Sequence, residues 1–286
     1  MINSKTAFLA LIGNPVEHSL SPIMHNAAIE YLGLDLVYLA IPCKKEDFKI
    51  VIRALRKINC KGLNITIPFK EKAFDLCDEV CPIAKKVKAV NTLKVNHNLK
   101  WIGSNTDIDG FIYPIKKLNL SGKKSIVIGS GGAARSAVQG LIDLKLTEII
   151  VISRNESNLK KFLNDFKDFK CIKGYLANNK IIKDLMNQSD LIINTTPVGM
   201  KKLNIDYEEL PFGESFWHSL NPKSIVYDLV YNPRLTKLLR FSENKGCHII
   251  DGSEMLVAQG ARSLSLWTGI KDIPIDIMKN AINKYL

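Results

Sequence analysis

Residues 124–137 read Lys-Ser-Ile-Val-Ile-Gly-Ser-Gly-Gly-Ala-Ala-Arg-Ser-Ala, a short apolar strand that runs into a glycine turn and then into an alanine-rich helix start. The pattern constrains the backbone closely. Gly129 takes the tight reversal, Gly131 lets the main chain approach a pyrophosphate, and Ala134, in place of a third glycine, keeps helix and strand close. The helix N-terminus then offers unpaired N–H groups and partial positive charge to phosphates. A second strand at Glu148–Ile152 completes a βαβ unit at the right spacing, so the turn reads as a dinucleotide site rather than an ordinary glycine loop.

The residues after that second strand distinguish the two nicotinamide dinucleotides. An NAD site places Asp or Glu there for the ribose 2′-hydroxyl, whereas this chain continues Ser153-Arg154-Asn155-Glu156, with Lys160 and Lys161 a turn later. A guanidinium at Arg154 gives planar paired contacts to a 2′-phosphate, and Ser153 and Asn155 add neutral hydrogen bonds, which favours NADP. Glu156 pulls the other way, toward an NAD ribose, and NAD stays open as the alternative.

With 286 residues, 46% of them hydrophobic, the chain can bury a sizeable core, read here as two domains. No apolar run approaches bilayer length, and the N-terminus leads into a strand-like segment rather than a signal peptide, so the expectation is a soluble cytoplasmic protein. Six scattered cysteines include no C-x-x-C pair, and no Cys or His completes a tetrahedral set around Cys77 and Cys81; neither disulfides nor a metal site is expected. The net charge of +12 comes mostly from lysines spread over the whole length, which argues against nucleic acid and suits small anionic ligands. Oligomeric state stays open between monomer and homodimer.

Strands and helices alternate throughout, the signature of an α/β protein. Strands are expected at 7–12, 37–41 and 62–67, helices at 22–32, 45–58 and 71–78, and a hairpin at 89–95 and 99–104 around Asn96-His97-Asn98. A helix over 108–118 precedes the glycine-motif strand. Further strands are expected at 191–194, 224–228 and 248–250, with a helix at 235–245, consistent with a doubly wound, Rossmann-type parallel sheet. Two C-terminal helices, 253–266 and 275–285, are expected to return to the first domain. The division is therefore 1–107, completed by 252–286, for substrate and 108–251 for dinucleotide.

Several segments carry polar groups suited to chemistry. In His18-Ser19-Leu20-Ser21-Pro22, two hydroxyls just before a helix suit one carboxylate, although Ser21 also suits the helix N-cap. In Asn64-Ile65-Thr66-Ile67-Pro68-Phe69-Lys70, polar residues alternate along a strand whose carboxyl end presents Lys70, where ligands of open α/β sheets bind. Asn91 and Asp107 come from neighbouring strand ends, and Asp107 is placed either to pair with Lys70 for proton transfer or to cap the helix from Ile108. Tyr231 follows another strand end, and Gln259 lies on the helix that begins near Ser253.

Taken in order, these segments resemble the shikimate dehydrogenase family over almost the whole chain. The resemblance implies reversible NADPH-dependent reduction of 3-dehydroshikimate to shikimate in aromatic amino-acid biosynthesis, with Lys70 and Asp107 as the catalytic pair. It implies substrate contacts at Ser19, Ser21, Thr66, Asn91, Asp107, Tyr231 and Gln259. It also implies cofactor contacts at Gly129, Ser130, Gly131, Gly132, Ala133, Ser153, Arg154, Asn155, Leu229 and Gly252. Family members specific for NADP usually show Asn-Arg-Thr where this chain has Ser153-Arg154-Asn155. A quinate/shikimate dehydrogenase using NAD or both cofactors is thus the nearest alternative, and a non-catalytic sensor of the same ligands is one of another class.

Overall fold

A computed structural model describes residues 2–201 and 208–286. In chain order its elements are β1 (Ala7–Gly13), α1 (Ser21–Tyr31), β2 (Leu36–Pro42), α2 (Phe48–Leu55), β3 (Cys60–Ile65), α3 (Lys70–Leu76), β4 (Glu79–Val80), α4 (Pro82–Val87), β5 (Thr92–Val95), β6 (Trp101–Ser104) and α5 (Asp107–Ile115). They continue with β7 (Lys124–Ile128), α6 (Gly132–Asp143), β8 (Glu148–Ser153), α7 (Glu156–Asp165), β9 (Ile172–Leu176), α8 (Ile182–Gln188) and β10 (Leu191–Asn194). The last are α9 (Glu214–Trp217), β11 (Ile225–Asp228), α10 (Lys237–Asn244), β12 (His248–Ile250), α11 (Ser253–Thr268) and α12 (Ile275–Asn283).

Two compact units emerge, one running to Gly110 and resuming at Leu256–Tyr285, the other spanning Phe111–Met255. The first holds a six-stranded sheet in the order β2-β1-β3-β5-β6-β4. Its β1 pairs parallel with β2 and β3, while β5 pairs antiparallel with β3 and β6, closing the expected hairpin. Buried Phe48, Phe69, Leu63, Leu93 and Trp101 fill one face, and Phe69 stacks on Phe48 with ring centroids 4.3 Å apart. That stack fixes the start of α3, which begins with Lys70.

On the other face lies α11. A Cβ on Gly62 would sit 2.1 Å from Trp267 Nε1, so only glycine lets β3 pass beneath that indole, whose Nε1 donates to Leu93 O at 2.9 Å. Helix α12 packs on α1, burying Met278 and Ile282.

The second unit holds an all-parallel sheet in the order β12-β11-β10-β7-β8-β9. Strand order reverses between β7 and β10, the switch point outside which open α/β sheets bind ligands. Its central strands are apolar on both faces, as a sheet covered by helices on each side requires.

Several sequence expectations shift. The strand predicted to reach Ile67 ends at Ile65, because the chain turns through Thr66–Phe69, where Phe69 N donates to Thr66 O at 2.9 Å. Ser21 was expected as an N-cap but is the first residue of α1; Leu20 holds the cap position without a side-chain bond. Asp107 likewise opens α5 instead of capping it, and Asn105 Oδ1 accepts from Asp107 N at 3.0 Å. Both side chains are thereby freed from helix capping.

Candidate active site

In the first unit, the ends of β3, β5 and β6 and the starts of α3 and α5 bring polar side chains together. Lys70 Nζ donates to Asp107 Oδ2 at 2.7 Å, with the side chains 17% and 7% exposed. Lys70 is also tied through its backbone, since its carbonyl accepts from Val90 N at 2.9 Å.

The second carboxylate oxygen is held independently. Asn91 Nδ2 donates to Asp107 Oδ1 at 2.8 Å and to Thr106 Oγ1 at 2.9 Å. Asn91 Oδ1 in turn accepts from Thr106 N at 2.7 Å and from the Thr92 hydroxyl at 2.9 Å. Asn91 is 2% exposed and every polar atom of its side chain is used, so the amide has one orientation and the carboxylate one position. An ion pair whose ammonium stays partly accessible, backed by a rigid buried amide, has the geometry to exchange a proton with a hydroxyl or carbonyl placed beside it.

The other expected substrate residues of this unit occupy several elements around it. Ser19 is half-buried before α1, and its Oγ accepts from Ser21 N at 3.2 Å, leaving its hydrogen to donate elsewhere. Ser21 is buried at the start of α1. Thr66 is half-buried beyond the end of β3, and Gly13 allows it there: a Cβ on Gly13 would lie 2.2 Å from Thr66 Cγ2. Gln259 is half-buried on α11, with Nε2 donating to Leu256 O at 2.8 Å.

Three residues of this network were not singled out by sequence reasoning, Thr92, Thr106 and Ser263, and Asn64 was noted without a site role. Asn64 Nδ2 donates to Ser263 Oγ at 3.0 Å, and its Oδ1 accepts from Tyr38 OH at 2.7 Å. The signal for Asn64 was the polar alternation of its strand; Ser263 stands one helical turn beyond Gln259 on α11. His25 stacks on Tyr38 at 4.1 Å, and burial pushes its imidazole down to about 3, so it packs there as a neutral ring.

The second unit contains the glycine turn. Gly129 has φ +112°, a conformation open to glycine alone, and a Cβ there would meet Thr195 Oγ1 at 2.5 Å. Gly131 is the N-cap of α6 with no side-chain bond, and a Cβ on it would meet nothing within 4 Å. The turn is thus open on the side where the first backbone N–H groups of a twelve-residue helix emerge, with Gly132 and Ala133 half-buried beside it. These features fit a dinucleotide pyrophosphate.

Ser130 Oγ and Ser153 Oγ lie 3.0 Å apart, joining the glycine turn to the end of β8. Arg154, next along, is exposed. Asn155 serves as the N-cap of α7, its Oδ1 accepting from Asn158 N at 2.9 Å. Glu156 pairs with Lys160 at 2.7 Å on the same helix, and that bond holds its carboxyl below the usual range.

Leu229 and Gly252 meet. Leu229 N donates to Asn194 O at 3.0 Å, and a Cβ on Gly252 would fall 2.2 Å from Leu229 O, so only glycine fits. Tyr231 is half-buried two residues beyond Leu229.

Comparison with known proteins agrees across the chain. Residues 11–93 match the shikimate dehydrogenase substrate-binding domain, residues 114–206 match shikimate/quinate 5-dehydrogenase, and residues 252–282 match the shikimate 5′-dehydrogenase C-terminal domain. A shikimate dehydrogenase (NADP(+)) of Prochlorococcus marinus subsp. pastoris is 61% identical over 286 residues, covering 100% of both chains. Another from Nostoc sp. is 40% identical over 290 residues, covering 100% of this chain and 99% of that one. The crystal structure of shikimate dehydrogenase from Aquifex aeolicus superposes with a TM-score of 0.86 at 32% identity, covering 99% of this chain and 100% of that one. Shikimate 5-dehydrogenase from Thermus thermophilus, solved in complex with NADP(H) and shikimate, gives a TM-score of 0.83 at 30% identity, covering 98% of this chain and 100% of that one. The chain belongs to the shikimate dehydrogenase family.

Proposed function

We propose that this enzyme interconverts 3-dehydroshikimate and shikimate with NADP as the redox partner, and that Lys70 and Asp107 carry the proton. The observation that carries the reading is the Lys70–Asp107 ion pair at 2.7 Å, with Asn91 fixing the far carboxylate oxygen. The hydride that reduces the ring carbonyl would come from NADPH when it is bound. Lys70 donates a hydrogen bond and then a proton to the carbonyl oxygen, and takes the proton back in the reverse direction. Asp107 keeps the ammonium aimed at that oxygen and balances its charge.

Substrate binding is assigned to the first unit. Ser19 and Ser21 hold the ring carboxylate, while Thr66, Asn91, Asp107 and Gln259 hold ring hydroxyls; Tyr231 is assigned to substrate as well. For the cofactor, residues 129–133 take the pyrophosphate and Ser153, Arg154 and Asn155 the 2′-phosphate. Leu229 and Gly252 would hold the nicotinamide end. Arg154 favours NADP because the nearby carboxylate of Glu156 is paired with Lys160 on α7. We place the enzyme in the cytoplasm, consistent with six free cysteines.

The test is formation of NADPH from NADP and shikimate, followed by absorbance, for the parent and for Lys70→Ala. The variant is expected to lose roughly a hundred- to ten-thousand-fold in kcat, with the Kd for NADPH unchanged. Unaltered kcat in Lys70→Ala removes that residue from the chemistry.

A further inference from the structure

Hydrogen-bond bookkeeping around Asn91 leads to a residue on α11 that touches neither Lys70 nor Asp107. Both amide hydrogens of Asn91 are spent, one on Asp107 Oδ1 and one on Thr106 Oγ1. Thr106 is therefore an acceptor from Asn91, and its own hydrogen needs another partner. Asn91 Oδ1 already takes hydrogens from Thr106 N and from the Thr92 hydroxyl. Thr106 Oγ1 has three acceptors in reach, and Ser263 Oγ at 3.0 Å is nearer than Asn91 Oδ1 or Thr92 Oγ1, each at 3.2 Å.

Ser263 is fully buried, and its hydroxyl uses its whole capacity. It accepts from Thr106 and, at 3.0 Å, from Asn64 Nδ2, and it donates to Gln259 O at 3.0 Å. The Gln259 carbonyl can only accept, so Ser263 donates there, and its lone pairs face Asn64 Nδ2 and the hydroxyls of Thr106 and Thr92, the last at 2.9 Å. Without this oxygen two buried donors, Thr106 and Asn64, lose their shortest acceptor and fall back on contacts of 3.2 Å to Asn91 and Thr92, which shifts the Asn91 amide.

We propose that Ser263 is a positioning residue for the reaction: its hydroxyl orients Thr106, Thr106 orients the Asn91 amide, and that amide sets the Asp107 carboxylate against Lys70. Ser263 fixes the carboxylate's angle rather than the substrate's affinity. The inference rests on the assignment of Lys70 and Asp107 as the catalytic pair.

The experiment is a double-mutant cycle in the full-length enzyme, with Ser263→Ala, Thr106→Val and both together, measured in shikimate oxidation and accompanied by thermal melts. Ser263→Ala is expected to lower kcat about tenfold while the KM for shikimate stays within about twofold. If it acts through Thr106, the double variant is no slower than Thr106→Val alone. Should Ser263→Ala not fold, Ser263→Cys, similar in size but a far weaker acceptor, serves in the same cycle with the same expected loss. A kcat within twofold of the parent, or losses that multiply in the double variant, overturns the proposal. Lys70→Ala, run alongside, separates the two levels: if it keeps turnover, the catalytic assignment itself falls, whereas if it loses turnover and Ser263→Ala does not, only the role of Ser263 falls.

Discussion

Asp228, at the carboxyl end of β11, shows how much one buried charge can govern. Its carboxylate accepts from Thr236 Oγ1 at 2.7 Å, from Asn194 Nδ2 at 2.9 Å and from Val230 N at 3.1 Å. Complete burial outweighs these three donors and pushes the carboxyl up to about 7. The sign follows from proton binding: the folded chain holds this proton more tightly than the unfolded chain, so the group's contribution to stability is full below about pH 4 and is lost as pH rises to about 7. Each unit of pH in that window costs about 1.4 kcal/mol from this residue. Asp228→Asn, which removes the ionisation, is expected to melt progressively higher relative to the parent between pH 5 and pH 7. A difference in Tm that is flat across that range excludes the titration of Asp228. At this scale the sequence spoke unevenly. The pairing of Lys70 with Asp107 was legible because a lysine and a carboxylate follow polar strand ends, whereas Ser263 was not, since its partners Thr92 and Thr106 stand more than a hundred and fifty residues away in the chain.

Elements whose identity rests on local backbone chemistry were the most legible. Strand β7 and helix α6 fall where the G-x-G-x-x-A pattern puts them, because the turn between them admits only a narrow set of backbone angles. Strand β4 and helix α4 went unread for the opposite reason: two and six residues are too few to display a period. Strand β9 is the edge of its sheet and half-buried along most of its length, so its Ile-Lys-Gly-Tyr-Leu carries no clean alternation. The β8–α7 junction makes the prediction that belongs to this scale. Ser153 is bonded to the glycine turn and Asn155 spends its amide oxygen capping α7, so exposed Arg154 is the cation of the three that faces outward for a 2′-phosphate. Arg154→Gln is expected to raise the KM for NADP by about ten- to a hundredfold, from loss of a paired charge-assisted contact, with the KM for NAD little changed. Steady-state kinetics with both cofactors decide it, and an equal rise for NAD locates the effect in the fold of the turn instead.

At the level of the molecule, the two units differ in how the chain builds them. The second is one continuous stretch, Phe111–Met255, and the buried cluster from Phe111 through Val127, Leu141 and Tyr227 to Met255 lies wholly within it. The first is assembled from both ends of the chain and depends on its last segment: α11 supplies the indole over Gly62 and the Ser263 hydroxyl, and Leu266 O accepts from Lys94 Nζ at 2.7 Å. Losing one large buried aromatic costs about 3–5 kcal/mol, a large part of the 5–15 kcal/mol that holds a typical domain folded. A chain cut after Gly252 is therefore expected to lose shikimate oxidation and the cooperative melting of its first unit. The isolated stretch 111–255, of a size that buries about two thirds of its unfolded surface, is expected to fold and to bind NADP on its own. Circular dichroism and NADP titration of the two fragments check this together. The continuous fragment has every strand of its sheet and the whole glycine turn, so failure to fold or to bind NADP means that its stability comes from contacts outside the core assigned to it.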